Sequence, residues 1–273
     1  MNKKFDKKII LKIILLLILI ISAGTIFKNL KEHRECKNTY EELKEETFCT
    51  ETVTEQKIES EELATEQTEQ EIETGIESNL ENMVKNLKQM NSETVGYILF
   101  PNMDISYPIC QTTDNEYYLK HDFNKDEAIS GCIFLDNRNK NDFSDFDNWI
   151  YGHCMRIDNS MFCPLNEFMD VSTYNENPYF YIITEDEIIK CEIFSCYQDN
   201  NTTKMSKADI NTTEDFENYI SYITQKSVYN TDTSISENDK IVSLMTCTNP
   251  KNSDENMRMI IHAKIIRQAK FEE

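Results

Sequence analysis

The chain has 273 residues and a net charge of −21, with 28 lysines and arginines against 49 aspartates and glutamates. So acidic a protein is a poor candidate for binding nucleic acid or anionic lipid, and is compatible with attracting an amine-bearing substrate. The length allows one domain of roughly 170–200 residues plus extensions.

The first extension is at the N-terminus. Residues 1–8 carry Lys3, Lys4, Lys7 and Lys8, and residues 9–27 are almost wholly apolar, broken by Lys12. As a helix this run spans about 28 Å, close to the hydrocarbon thickness of a bilayer. The leading lysines predict a cytoplasmic N-terminus and an uncleaved transmembrane anchor. A cleaved signal peptide is the rival reading, but Ser22-Ala23-Gly24 supplies no Ala-x-Ala site and the run is long for a signal. Residues 28–70 are rich in Glu, Thr and Gln with no sustained heptad, predicting a solvated stalk or a loose helix.

From residue 71 the chain reads as a folded unit running to 273. Ile72, Ile76, Leu80, Met83, Leu87 and Met90 share one face of an amphipathic helix. Eight strand-like runs follow: 95–100, 105–110, 132–136, 148–151, 179–184, 188–197, 240–246 and 259–266. Two helical insertions are predicted, a short one at 161–169 and a longer one at 213–226. The fold class is therefore mainly β with helical insertions. Eight strands with few helices between them predict a closed or nearly closed barrel.

The nine cysteines form no CxxC pair and no zinc pattern. Cys36, Cys49, Cys110, Cys132, Cys154, Cys163, Cys191 and Cys196 read as small, partly buried hydrophobes rather than disulfide partners. No metal or cofactor is implied, because adjacent strand residues such as His153 and Cys154 point to opposite faces.

Cys247 alone has a chemical context. It ends one predicted strand, and Arg258 opens the next. If those strands are neighbours, the thiol lies beside a fixed cation that favours thiolate and can stabilise an oxyanion. His153, at the end of Trp149-Ile150-Tyr151-Gly152-His153, supplies a proton carrier. His262 is the runner-up for that role, two and four residues beyond Ile260 and Arg258. His121 reads as structural, and His33 lies in the stalk. These residues predict a cysteine enzyme working on acyl groups.

Blocks from about Glu93 to Arg267 resemble the class B sortases, membrane-anchored cysteine transpeptidases of Gram-positive bacteria. Glu93-Thr-Val-Gly-Tyr-Ile is similar to the family's opening strand, and Asp104-Ile-Ser-Tyr-Pro-Ile-Cys-Gln111 to its second. Asp114-Asn-Glu-Tyr-Tyr-Leu-Lys-His-Asp-Phe123 and Gly131-Cys-Ile-Phe-Leu-Asp-Asn-Arg-Asn139 match two further blocks. Ile150-Tyr-Gly-His-Cys-Met155 resembles the histidine motif and Leu244-Met-Thr-Cys247 the cysteine motif, with Arg258 opening the last strand. Two departures stand out: Cys154, where relatives often carry histidine or asparagine, and Pro250 in the loop after Cys247.

The resemblance implies a sortase-type β-barrel that cleaves a C-terminal sorting signal of secreted proteins at a threonine carbonyl. Cys247 would be the nucleophile, His153 the general acid and base, and Arg258 the oxyanion-stabilising cation. An amine of a peptidoglycan precursor would take the acyl group, with the catalytic domain outside the membrane, facing the wall. Asn115, Leu119, Tyr151 and Thr246 would line the substrate groove. A hydrolytic cysteine peptidase on the same scaffold and a membrane-tethered, non-enzymatic peptide-binding module are the alternatives.

Overall fold

The computed structural model describes residues 24, 31, 34, 37–43, 80–200, 212–248 and 256–271. Except for Gly24, the predicted anchor lies outside these residues, as do Cys36, Cys49 and Pro250. Among the described residues no helix is long and apolar enough to cross a membrane.

Eight strands close into a barrel. They are β1 (Thr94–Leu99), β2 (Ser106–Cys110), β3 (Ile133–Leu135), β4 (Asp147–Tyr151), β7 (Tyr179–Ile183), β8 (Glu187–Asp199), β9 (Ile241–Cys247) and β10 (Arg258–Lys270). The order around the barrel is β1-β2-β3-β4-β9-β10-β8-β7. β7 pairs back onto β1, which closes the barrel. Two neighbour pairs, β2 with β3 and β4 with β9, are parallel and the rest antiparallel. The β4–β9 pair matters most for function, because it carries both chains toward the same end of the barrel.

Strand alternation divides the side chains into two cores. Ile98, Ile109, Ile150, Leu244 and Ile261 are fully buried in the larger one, each contributing about 1.5–3 kcal/mol of transfer free energy. The opposite face of β4, β8, β9 and β10 presents Trp149, Tyr197, Ile241 and Ile260, and the helix Thr213–Lys226 covers it with Tyr219 and Ile223. That helix starts on a capping box. Thr212 Oγ1 accepts the Asp215 amide at 3.1 Å, and the Thr212 amide donates to Asp215 Oδ2 at 3.0 Å.

Three sequence expectations change. A two-stranded hairpin, β5 (Cys154–Met155) with β6 (Ser160–Met161), occupies the chain after His153, and the expected short helix is a 3-10 helix over Cys163–Met169. Cys154 and Cys163, read as unpaired hydrophobes, form a disulfide, because the hairpin folds the chain back and sets them side by side. Cys110, Cys132, Cys191 and Cys196 are buried free thiols, as expected. Within the span read as a solvated stalk or a loose helix, residues 37–43 are helical, and the burial of Tyr40 and Leu43 docks this segment instead of leaving it solvated. Tyr40 donates to the Gly131 carbonyl at 2.8 Å and meets Tyr107 edge to face. The amphipathic helix is seen over 80–90, with Met83, Val84 and Leu87 buried.

Candidate active site

Cys247 is the last residue of β9 and Arg258 the first of β10, and they are direct partners in the antiparallel ladder. Directly opposed residues project on the same face with Cβ atoms about 4.5–5.5 Å apart, so thiol and guanidinium are neighbours. On the other side of β9, β4 runs parallel with Tyr151 opposite Met245. Two residues further along each chain come His153 and Cys247, and their side chains are hydrogen-bonded.

The imidazole is held from behind. His153 Nε2 lies 2.9 Å from the Leu119 carbonyl. A carbonyl only accepts, so Nε2–H donates and Nδ1 is left for Cys247. Two glycines make room for this arrangement. A Cβ on Gly152 would fall 2.3 Å from Ile133 Cδ1. Gly131 has φ +57°, and a Cβ there would sit 2.2 Å from the Tyr118 carbonyl and 3.3 Å from His153 Cδ2.

The electrostatics push Cys247 toward thiolate and His153 toward imidazolium. The bond to His153 lowers Cys247 below the usual 9.0; burial opposes the shift and Arg258 adds to it. The same bond raises His153 above the usual 6.5, against burial, with the Leu119 carbonyl helping. A half-buried thiol biased toward thiolate, an imidazole able to give and take a proton, and a guanidinium beside the sulfur meet the requirements of acyl transfer through a thioester.

His262, the runner-up proton carrier, is excluded from this role. It lies on the same strand face as Arg258 but is completely buried beneath the helix Thr213–Lys226. Its Nδ1 is 2.6 Å from Ser243 Oγ and its Nε2 2.9 Å from Tyr197 Oη. Burial pushes it down to about 3, so it is neutral. Ser243 in turn donates to buried Asp147 at 2.6 Å, a network joining β4, β8, β9 and β10. His121 takes its structural reading, with Nδ1 at 2.8 Å from the Tyr117 carbonyl.

The groove candidates divide. Leu119 reaches the site through its carbonyl, and the residue is 36% exposed. Asn115 Oδ1 accepts the Asn137 amide at 2.8 Å, fixing the 112–119 loop against the chain after β3. Tyr151 donates to Asp136 Oδ2 at 2.8 Å, and Arg138 Nη2 holds the same carboxylate oxygen at 2.8 Å. Burial works against ionisation of Asp136, and the Arg138 bonds outweigh it, setting the carboxyl at about 2. Thr246 does not join the groove. As the neighbour of Cys247 in a strand it points to the opposite face, and it is 2% exposed.

Several site residues were not singled out from sequence. Asp136 and Arg138 orient Tyr151. Asn166, on the 3-10 helix, donates to the Cys247 carbonyl at 3.2 Å, and Arg156, in the β5–β6 turn, donates to the Thr248 carbonyl at 2.9 Å. Asp136 closes a predicted strand-like run, and Arg138, Arg156 and Asn166 lie outside the strand patterns.

An eight-stranded barrel that places cysteine, histidine and arginine together at one strand end defines a class of acyl-transferring cysteine enzymes. The sortase domain family model matches residues 98–266, and the chain belongs to the sortase family. Sortase B of Listeria monocytogenes is 33% identical over 71% of this chain and 78% of its own length. The crystal structure of Clostridium perfringens sortase B superposes with a TM-score of 0.62 at 33% identity, covering 67% of this chain and 99% of that one. Staphylococcus aureus sortase B has been solved with substrate, and a sortase B has been solved with triglycine. Each complex is 26% identical with a TM-score of 0.63, covering 68% and 69% of this chain and 86% and 87% of theirs. Within the family the chain is a class B sortase, and its activity is that of a cysteine transpeptidase.

Proposed function

We propose that this chain cleaves the C-terminal sorting signal of secreted proteins at a threonine carbonyl and joins the new acyl end to a peptidoglycan amine. The observation that carries this reading is the cross-strand pairing of Cys247 with Arg258 while His153 bonds to the same thiol.

The Cys247 thiolate attacks the threonine carbonyl, and the oxyanion that forms is stabilised by the Arg258 guanidinium and backbone N–H groups. The imidazolium of His153 gives its proton to the departing amide nitrogen, the C–N bond breaks, and a thioester on Cys247 remains. An incoming amine loses its proton to His153 as it attacks the thioester, and the Cys247 thiolate leaves. The triglycine complex of sortase B supports an amine as the second substrate, and the substrate complex of the Staphylococcus aureus enzyme supports a peptide as the first.

The apolar run at residues 9–27 and the lysines before it support a single-pass anchor, with the catalytic barrel outside the membrane and facing the wall. Of residues 28–70, where glutamates are frequent, those outside the docked 37–43 segment would then link the anchor to the barrel. Tyr151 and Leu119 are the groove residues this reading retains, with Asn115 setting the loop that carries Leu119.

The test is a fluorogenic sorting-signal peptide given to the full-length protein with and without an amine acceptor. A ligated product that appears only with the amine is expected. Cleavage at the same rate without acceptor would make the protein a hydrolytic peptidase, and binding without turnover would make it a peptide-binding module.

A further inference from the structure

β4 stops supporting β9 at Met245, whose carbonyl takes the Gly152 amide at 3.2 Å. Beyond that point the chain of β4 leaves the sheet to form His153 and the hairpin. Carbonyls two residues apart in a strand point the same way, so the next β9 carbonyl needing a donor on this side belongs to Cys247. Asn166 Nδ2 supplies it at 3.2 Å and also donates to the Cys163 carbonyl at 3.1 Å. One residue on, Arg156 Nη2 donates to the Thr248 carbonyl at 2.9 Å. Two side chains therefore grip successive carbonyls, one of them on the nucleophile itself.

Both arms spring from a fastened base. The Phe162 amide donates to the His153 carbonyl at 2.9 Å, Cys154 pairs with Met161 across the hairpin, and the Cys154–Cys163 disulfide closes it. Asn166 follows three residues after Cys163. The platform that positions the two arms thus begins at the proton-carrying histidine, and it ties His153 to the Cys247 main chain by a second route besides the thiol. Arg156 brings a positive charge to this end of β9 in addition to that of Arg258, and it acts on Cys247 in the same direction.

We propose that Arg156 and Asn166 are positioning residues, a clamp from the β5–β6 platform that holds the Cys247–Thr248 main chain in register with His153, with Arg156 as a second fixed cation. This rests on Cys247 being the nucleophile, and it adds two residues to the three that the cysteine chemistry requires. At the Cys247 carbonyl the clamp acts where β9 lacks a strand neighbour on the β4 side, and there a small shift of the main chain would carry the sulfur away from the imidazole.

The experiment uses the full-length protein and two readouts independent of each other. The first is the pH dependence of iodoacetamide alkylation at Cys247, followed by peptide mapping. The second is single-turnover acylation by a sorting-signal peptide, with the melting temperature as a control. The variants are Arg156→Ala, Arg156→Lys and Asn166→Asp, the last keeping the shape while removing the donor. Arg156→Ala is expected to move the alkylation inflection upward and slow acylation about tenfold at nearly unchanged peptide affinity, and Arg156→Lys to restore most of the inflection. Asn166→Asp is expected to slow acylation by a similar factor. Alkylation profiles that superimpose on wild type, or rate losses that merely follow the melting temperature, would overturn the clamp. A fall in peptide affinity alone would place Arg156 in the groove and overturn it equally. Failure of the underlying reading looks different: wild-type Cys247 would show no lowered inflection, or Cys247→Ala would still turn over.

Discussion

Cys247 and Arg258 are cross-strand partners at the open end of β9 and β10, although ten residues separate them in sequence. The antiparallel ladder alone brings them together, so no long-range packing is needed to build half of the site. His153 joins them through the parallel β4–β9 pair, which carries both chain ends to the same rim.

The charge balance of this trio sets a pH dependence. The bond to His153, with Arg258 adding to it, lowers Cys247 from 9.0, so thiolate appears as pH rises through a value below that. Alkylation of Cys247 should therefore rise through an inflection below 9.0 in wild type, and at higher pH in His153→Ala. The imidazole of His153, followed by NMR, should titrate above 6.5 and fall back toward it in Cys247→Ala, because the thiol bond is the leading cause of its shift. Titration of His153 below 6.5 in wild type would contradict the assignment.

Removing the guanidinium should act on the transition state. Arg258→Ala is expected to lower kcat/KM for peptide cleavage by at least about 10²-fold, the scale of one oxyanion contact. Arg258→Lys keeps a charge without the planar fork and should recover only part of it. Steady-state kinetics on a fluorogenic peptide distinguishes these results, and wild-type rates in Arg258→Ala would remove it from the mechanism.

The disulfide closes a loop of sequence separation 9. Chain-entropy arguments give such a crosslink about 2.5 kcal/mol of stability. Urea unfolding with and without a thiol-free reductant should show a loss of that order, absent in Cys154→Ser/Cys163→Ser. Equal stability in both conditions would contradict the crosslink.

His262 sets a second pH window. It is neutral when folded, with burial holding it at about 3, and takes up a proton near 6.5 once unfolded. The unfolded state therefore binds more protons below 6.5, and stability should be lost as pH falls from there toward about 3. Between pH 7 and 5 the contribution is about 2 kcal/mol. A His262→Gln variant should lack this part of the pH dependence while keeping near-normal turnover per folded molecule. Lost turnover at full stability would reinstate His262 as a chemical participant.

The strands were legible because their patterns are strong. Residues such as Tyr97-Ile98, Ile182-Ile183 and Ile260-Ile261 are bulky and apolar, flanked by polar turns, and their burial follows. The helix Thr213–Lys226 was visible in Phe216, Tyr219 and Ile223, all buried on one side. The β5–β6 hairpin was not, because strands of two residues have no period to detect. The Cys154–Cys163 pairing and the Arg156 and Asn166 contacts depend on that fold-back, so they were hidden with it. Thr246 was assigned to the groove by family likeness, whereas strand alternation beside Cys247 turns it to the other face. The proximity of Cys247, Arg258 and His153 was readable because each lies at, or just beyond, the end of a recognisable strand.

The proposed reaction runs through a covalent bond to one sulfur. Intact-mass spectrometry of the full-length protein mixed with a sorting-signal peptide, without acceptor amine, tests it most directly. A thioester adduct that maps to Cys247, equal in mass to the peptide truncated after threonine less one water, and that disappears on adding triglycine is the predicted result. Turnover with no adduct at Cys247, or an adduct at another residue, would contradict it.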